Sequence, residues 1–314
     1  MIIGIDVGNA TTITSEGIIF DSKLTNIEPL NECDCIVIDN KKYYIGEGDF
    51  DTTYRKVNKE SYVTLMYSAL ALSSKDTHNN VVLGLPLSQY KEDKNTLINK
   101  VMKESNKEII LNGNAKKIII DDVEVFPEAI VTLEDDYEGI VIDIGGRTTD
   151  AALVENYRGK RKIINPISIP AGTINLYGDF VNLLNGRFSL DLKLQDAERI
   201  LKNGLLLDGK LQCIDFAIEV FQRFVTDIIN RLQIEYSLRT NRISLTGGGA
   251  ELFGETLKSR LGDGVQIQED GLYANANNFC ELGCSIWQWV KWYHLRKRKR
   301  TSTNLLRIKT SVIM

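Results

Sequence analysis

Two stretches of the chain repeat one short pattern of residues suited to holding an anion. Residues 2–12 read Ile-Ile-Gly-Ile-Asp-Val-Gly-Asn-Ala-Thr-Thr, and residues 139–150 read Gly-Ile-Val-Ile-Asp-Ile-Gly-Gly-Arg-Thr-Thr-Asp. With Asp6 laid on Asp143, Ile3, Ile5, Gly8, Thr11 and Thr12 fall on Ile140, Ile142, Gly145, Thr148 and Thr149. Each copy is an apolar strand ending in Asp, a glycine turn, and a Thr pair opening the next strand. Glycine lets the N–H groups of a turn converge on an anion. The Asp beside it offers hard oxygen to a divalent cation or its waters. Two such loops face to face would grip a nucleotide polyphosphate and its Mg²⁺ from both sides. One Asp-x-Gly turn is ordinary hairpin chemistry, but two matched copies single out Asp6 and Asp143 as the metal-handling pair.

Two further segments join them. Val125-Phe126-Pro127-Glu128-Ala129 lies just before the second hairpin. Pro and Glu at a helix start have a purely structural reading, since Pro is pre-organised there and Glu faces the positive end of the dipole. Beside a nucleotide cleft, Glu128 would also hold and polarise the water that attacks a γ-phosphate. Thr246-Gly247-Gly248-Gly249-Ala250-Glu251 follows a strand and precedes a helix. It lacks the spacing of a dinucleotide fingerprint and the Lys-Ser/Thr of a Walker loop. As a third glycine loop it suits the adenosine end of the same ligand.

These loops need strands to end on and helices to cover them. Strand-like runs fall at 2–7, 10–14, 17–20, 34–39 and 42–46, followed by an apolar helix near 60–74. A strand at 81–85 leads through Pro86 to a helix near 88–105 and strands at 107–112 and 115–121. A short helix is expected at 129–133, and the second hairpin then spans 139–155. In the second half, helices are expected at 173–185, 192–203 and roughly 213–238. The last carries Phe216, Val220, Phe224, Ile228 and Leu232 on one stripe. A strand at 242–246 enters the glycines, a helix follows at 251–260, and a final helix runs from about 274–277 through Trp292. The class is α/β, with sheets covered by helices.

Composition narrows the function. At 314 residues, with 43% apolar and 25% charged residues, the chain is long enough for two globular domains. It has no apolar run long enough to span a membrane. Met1 leads straight into a strand, and the expected location is cytoplasmic. His78 and His294 are the only histidines, which leaves little material for triad chemistry or a histidine-rich metal centre. The five cysteines suggest no disulfide framework, and Cys280 and Cys284, one helical turn apart with no histidine beside them, read as buried thiols rather than a zinc site. After Glu281 no acidic residue occurs, while eight Lys and Arg residues follow. The net charge of −4 therefore divides into a basic terminus and a remainder at −12, which argues against direct nucleic-acid binding by the body. Trp287, Trp289, Trp292 and Tyr293 run into the basic cluster Arg296–Arg300. A core-packed last helix with a solvated tail is the preferred reading, and an interfacial membrane helix the lesser one.

In this order the motifs resemble the actin superfamily: a first phosphate loop (6–12), a connecting helix (126–133), a second phosphate loop (143–150), an adenosine loop (246–251) and a second connecting helix (274–283). Asp143-Ile-Gly-Gly-Arg-Thr-Thr-Asp150, Gly84-Leu-Pro-Leu-Ser88, Gly247-Gly-Gly-Ala-Glu251 and Tyr273-Ala-Asn-Ala276 are similar to what the ParM/StbA group of plasmid-segregating bacterial actins carries. The resemblance implies an actin-like fold of two related domains flanking a nucleotide cleft. Domain I would cover 1–155, completed by the C-terminal helix at about 280–314, and domain II would cover 156–279. It implies that Asp6 and Asp143 manage Mg²⁺ and that Glu128 positions the attacking water. Gly8, Asn9, Ala10, Thr11, Gly145, Gly146, Arg147 and Thr148 would line the phosphates of ATP or GTP. Gly247, Gly248 and Gly249 would face adenosine, and Glu198 the ribose or base. Relatives carry a Lys after the first loop where this chain is apolar, near Ile13. The implied function is a polymerising ATPase or GTPase whose filament segregates plasmid DNA indirectly, through a DNA-binding adaptor of the ParR type. A membrane-associated cytoskeletal actin and a small-molecule kinase are the alternatives.

Overall fold

The computed structural model describes residues 1–51 and 53–299, with side chains through residue 288. Its first nine strands are β1 (Ile2–Val7), β2 (Thr11–Thr14), β3 (Ile19–Asp21), β4 (Lys23–Thr25), β5 (Cys35–Ile38), β6 (Lys41–Phe50), β7 (His78–Leu85), β8 (Asn106–Leu111) and β9 (Asn114–Pro127). They form one sheet in the order β3-β2-β1-β7-β9-β8-β5-β6-β4. Strands β1, β7 and β9 are parallel neighbours, and all of their Ile, Val and Leu residues except Ile2 and Ile119 are buried, as a parallel sheet requires. Helix α1 (Tyr62–Ser73) is apolar on nearly every side and sits inside this core, whereas α2 (Leu87–Lys103) buries Leu97 and Val101, exposes Lys91 and Lys103, and turns Lys100 onto the Val57 and Lys59 carbonyls.

A second sheet takes β10 (Gly139–Ile144), β11 (Thr149–Tyr157), β12 (Lys160–Ile169), β15 (Ile243–Thr246) and β16 (Val265–Ile267), in the order β12-β11-β10-β15-β16. Two antiparallel steps followed by two parallel ones repeat the β3-β2-β1-β7-β9 half of the first sheet. The duplicated sequence motif is thus the visible part of a duplicated fold. Between β12 and β15 come α3 (Thr173–Phe188), α4 (Asp196–Asn203), the hairpin β13 (Leu205–Leu207) with β14 (Lys210–Gln212), and α5 (Asp215–Glu235). The expected stripe of α5 is present: Val220, Ile228 and Leu232 are buried, and Phe224 stacks on Phe253 with ring centroids 5.1 Å apart. Helix α6 (Gly248–Leu261) begins inside the glycine run, three residues earlier than expected.

Helix α7 (Gly271–Lys299) joins the halves. It starts beside Gly247, where Gly271 lies against the turn backbone, and then runs along β1. At Gly4 any side chain would overlap the Ala276 carbonyl, so glycine is what lets helix and strand touch. Phe279 and Trp287 then pack on Val82 with Ile2, and Trp287 Nε1 donates to Asp122. The aromatic–basic stretch from Trp289 to Tyr293, the cluster Arg296–Arg300 and the end of the expected helix lie outside the residues whose side chains are described. No described helix is long and apolar enough to cross a membrane.

Four expectations need correction. The hairpin at 139–155 lies in the second sheet, not the first domain, because β10 pairs in parallel with β15 and buries Ile140, Ile142 and Ile144 in the second core. The helix expected at 129–133 is one 3-10 turn, Ile130–Thr132. Ala129 sits at φ +63°, and Arg161 takes the Ile130, Leu133 and Glu134 carbonyls. Helix α4 begins at Asp196 rather than 192, since the Asn185 side chain pairs with both the N–H and the carbonyl of Leu192. Strands β4, β12, β13, β14 and β16 were not anticipated. Strand β12 is a sheet edge built from Lys-Arg-Lys-Ile-Ile-Asn-Pro, whose charge and Pro are compatible with strand only where one side is unpaired.

Candidate functional site

The two hairpins make the same turn. Gly8 N–H donates to the Thr11 carbonyl and Gly145 N–H to the Thr148 carbonyl, both at 2.9 Å. The turns face each other so closely that a side chain on Gly146 would overlap Ala10. Behind the second turn, the N–H groups of Thr173 and Ile174 at the start of α3 donate to Gly145 and Gly146, at 3.1 and 2.8 Å. A cavity of about 920 Å³ opens between the sheets, a size that suits a nucleotide-sized ligand.

Most of the expected residues meet there. Asp6, Gly8, Asn9, Ala10 and Thr11 line one side. Asp143, Gly145, Gly146 and Thr148 line the other, with Glu128 between. Gly247, Gly248, Gly249 and Glu198 line the cavity as well, from the glycine turn and from α4. Gly247 adopts φ +84°, and a side chain there would overlap Asp143 Oδ1, so the third glycine loop rests directly on the second aspartate. Arg147 is the exception. It does not line the cavity; past the Gly146–Ala10 contact its guanidinium reaches out of the cleft to the Asp51 carbonyl, at 3.5 Å.

The electrostatics come from residues far apart in sequence. Lys56, in a 3-10 turn (Lys56–Asn58), is buried with Nζ 2.5 Å from Glu128 Oε1 and 3.4 Å from Asp6 Oδ1. Burial alone would lower the affinity of Lys56 for its proton, but the charges of Glu128 and Asp6 overcome that and raise it. Burial pushes the Glu128 carboxyl up, against the pull of Lys56. Burial, then the Asp150 and Asp6 charges, push Asp143 up to about 7. Lys59 donates to Asn9 Oδ1 at 2.6 Å, and burial followed by the Lys56 charge lowers it to about 8. Gly84 keeps the floor open, since a side chain there would collide with Phe279 and press on Glu128 Oε1.

The residues fit a Mg²⁺-nucleotide. No cluster of three or more His, Cys, Asp or Glu side chains forms a metal cage among the described residues. Mg²⁺ needs no such cage, because it is commonly held by one or two carboxylates, phosphates and water. Asp150 Oδ1 and Thr246 Oγ1 flank Asp143 on its two neighbouring strands and are buried without hydrogen-bond partners among the described residues.

Comparison with protein families agrees with this arrangement. Residues 4–130 match the family model described as the N-terminal domain of actin-like proteins, and residues 141–259 match the C-terminal domain of the archaeal actin homologue, MreB-like. The chain belongs to the actin-like proteins. Solved structures share the actin-like fold. A 15-stranded ParM filament from Clostridium botulinum is 19% identical at a TM-score of 0.73, covering 91% of this chain and 99% of that one. The archaeal actin homologue Ta0583 in complex with ADP is 18% identical at a TM-score of 0.74, covering 90% and 98%. The actin-like protein Alp7A is 14% identical at 0.70, covering 95% and 99%. No curated protein matches the chain.

For an actin-like chain, sequence reasoning missed three residues. The cation sought near Ile13 comes instead from Lys56, with Lys59 beside it, in a polar segment 50 residues from Asp6 that carries no motif. Asn275 was visible within Tyr273-Ala-Asn-Ala276 but had no assigned part.

Proposed function

We propose that this actin-like protein is a polymerising nucleoside triphosphatase that binds Mg²⁺-ATP or Mg²⁺-GTP between its two sheets. The observation that carries the reading is the convergence of Asp6, Asp143 and Glu128, from three separate strand ends, on one cavity walled by three glycine turns. Asp6 and Asp143 would hold Mg²⁺ through its waters, and the cation supplies charge neutralisation at the phosphates. The glycine turns bring backbone N–H groups to the phosphates, and the start of α3 adds the positive end of a helix. Glu128 orients the attacking water and takes up its proton. Lys56 holds the Glu128 carboxylate in one place and balances the acidic floor. Glu198 faces the sugar or base end.

The ADP bound to the archaeal homologue and the filament formed by the clostridial ParM support nucleotide binding and self-assembly as the shared use of this fold. Plasmid segregation through a ParR-type DNA-binding adaptor, in the cytoplasm, is the cellular role we assign on the strength of the ParM-like motifs. Pelleting with phosphate release is the decisive test. The protein should sediment with Mg²⁺-ATP or Mg²⁺-GTP, release phosphate after assembly, and remain in the supernatant with nucleoside diphosphate. Phosphate transfer to a sugar or other small hydroxyl compound, without sedimentation, would overturn the assignment.

A further inference from the structure

Asn275 touches both sheets and the segment carrying Glu128. It lies in the second turn of α7, placed there by the contact of Ala276 with Gly4 and of Gly271 with Gly247. Its Oδ1 accepts the Ala129 N–H at 2.9 Å. Its Nδ2 donates to Asp6 Oδ2 at 3.2 Å and to Asp143 Oδ2 at 3.3 Å. The orientation follows from the partners: an N–H can meet only the amide oxygen, and two carboxylates can meet only the amide nitrogen. A carboxamide supplies two donors and an acceptor on one planar group. An Asp would bring a third negative charge and no donor, and a Gln would be one methylene too long.

The accepted N–H matters because of where it lies. Ala129 holds φ +63°, a conformation disfavoured for a residue with a side chain. Its peptide directly follows Glu128 and therefore sets the direction in which that carboxylate points. The Glu128 N–H is tied to the Leu85 carbonyl at 2.9 Å, so β7 fixes one side of the residue and Asn275 the other. The charged and titratable groups around this point are Asp6 on β1, Asp143 on β10, Asp150 on β11, Glu128 after β9, and Lys56 and Tyr62 from the segment ahead of and into α1. Among them Asn275 is neutral, and it gives the two aspartates a common donor.

We propose that Asn275 is the positioning residue of the hydrolytic centre, tying an aspartate from each sheet to the peptide that aims Glu128. Glu128 is then correctly set only when the halves of the molecule stand at the spacing that one carboxamide can bridge. The hydrolytic part of this inference rests on the triphosphatase reading; the hold on Ala129 does not.

The experiment compares the parent with Asn275→Ala and with Asn278→Ala. Asn278 bonds the Ala274 carbonyl within α7 and faces none of these groups, so its variant reports mere loosening of the helix. In nucleotide-free protein, amide exchange of segment 128–133 should rise about tenfold or more in N275A and stay unchanged in N278A. In single turnovers N275A should hydrolyse about 10–100-fold more slowly, as expected for a misplaced group, while ADP affinity stays within about threefold. Added to Glu128→Ala, N275A should cause no further loss, because it acts through Glu128. Unchanged exchange in N275A, an equal rise in N278A, or independent losses in the double variant would overturn the proposal. If the parent hydrolyses no nucleotide, the triphosphatase reading fails, and the exchange measurement alone judges Asn275. If N275A does not fold, Asn275→Ser is read instead. Its side chain is too short to reach the Ala129 N–H and both aspartates, so segment 128–133 should again exchange faster, and unchanged protection there would overturn the proposal.

Discussion

Asp6 and Asp143 end equivalent strands, yet across the hairpin Asp6 meets Ile13 whereas Asp143 meets Asp150. From outside its hairpin Asp6 gains the Lys56 ammonium at 3.4 Å, while Asp143 gains the backbone of the Gly247 turn. One copy of the motif is therefore paired with a cation and the other crowded by an acid. A repeated sequence specifies strand, turn and aspartate, but the charges that surround that aspartate belong to residues delivered by other elements. The asymmetry also divides the work: the first half supplies positive charge and the second a deficit of it, which a cation with its waters would relieve.

The largest expected effect tests the residue shared by both halves. Glu128→Ala should slow phosphate release by about 10²–10⁴-fold, because the attacking water loses its partner, while nucleotide binding and assembly persist with Lys56 still beside Asp6. Filaments should outlive those of the parent in a pelleting time course. Release at the parental rate would remove Glu128 from the reaction.

Next is the cation of the first half. Lys56→Met strands the buried Glu128 carboxylate beside Asp6, and should lower unfolding free energy by about 3 kcal/mol. Replacing both partners should be milder: Lys56→Met with Glu128→Gln should recover part of that loss in urea titrations. A double variant weaker than Lys56→Met alone would show that Lys56 acts through something other than this pair.

The two aspartates should then respond with opposite signs. Asp143 is held near 7, above its unfolded value, so the folded state retains the proton more strongly. Its contribution to stability is full at pH below about 4 and is lost as pH rises through about 7. Asp143→Asn should flatten that fall and stabilise the nucleotide-free protein above pH 7 by about 1–2 kcal/mol, a figure reduced to allow for water entering the cleft. Asp6→Asn removes the negative charge beside the Lys56 ammonium and should destabilise by about 1 kcal/mol. Unfolding midpoints between pH 5 and 8.5 would show whether the two curves diverge. Both substitutions should still impair Mg²⁺-nucleotide binding.

Much of this architecture was legible in the residues themselves. The paired Asp-Gly-Thr turns, the apolar parallel strands and the α5 stripe each depend on neighbours a few positions away, so local pattern suffices. Features set by distant pairing were not legible. Strand β12 is polar because it is an edge, and β16 is three residues long and exists only through its pairing with β15. The site followed the same division. Asp6, Asp143 and Glu128 stand at strand ends with motif around them, whereas Lys56 arrives from a turn whose sequence has no signature and whose role depends on a 2.5 Å contact 72 residues away. Arg147 shows the same limit: the motif marks its loop, but its guanidinium meets the carbonyl of Asp51, 96 residues away, rather than lining the cavity.

The smallest effect concerns the one strong charge asymmetry that neither hairpin uses. Deleting residues 296–314 removes seven of the eight cations that follow Glu281, on a chain whose remainder carries −12. Every cavity residue lies upstream, the last being Asn275, so single-turnover hydrolysis should be unchanged. Assembly should weaken modestly, because a basic tail can meet the acidic surface of a neighbouring subunit, and exposed ion pairs are individually weak. The loss should be visible in pelleting at low salt and vanish as ionic strength rises towards 0.5 M, where the Debye length falls to about 4 Å. Liposome flotation separates this from the alternative destination of the tail. Should the full chain float with anionic vesicles and the truncated chain not, the positive charge serves a membrane surface, and the asymmetry between terminus and body is not a filament contact.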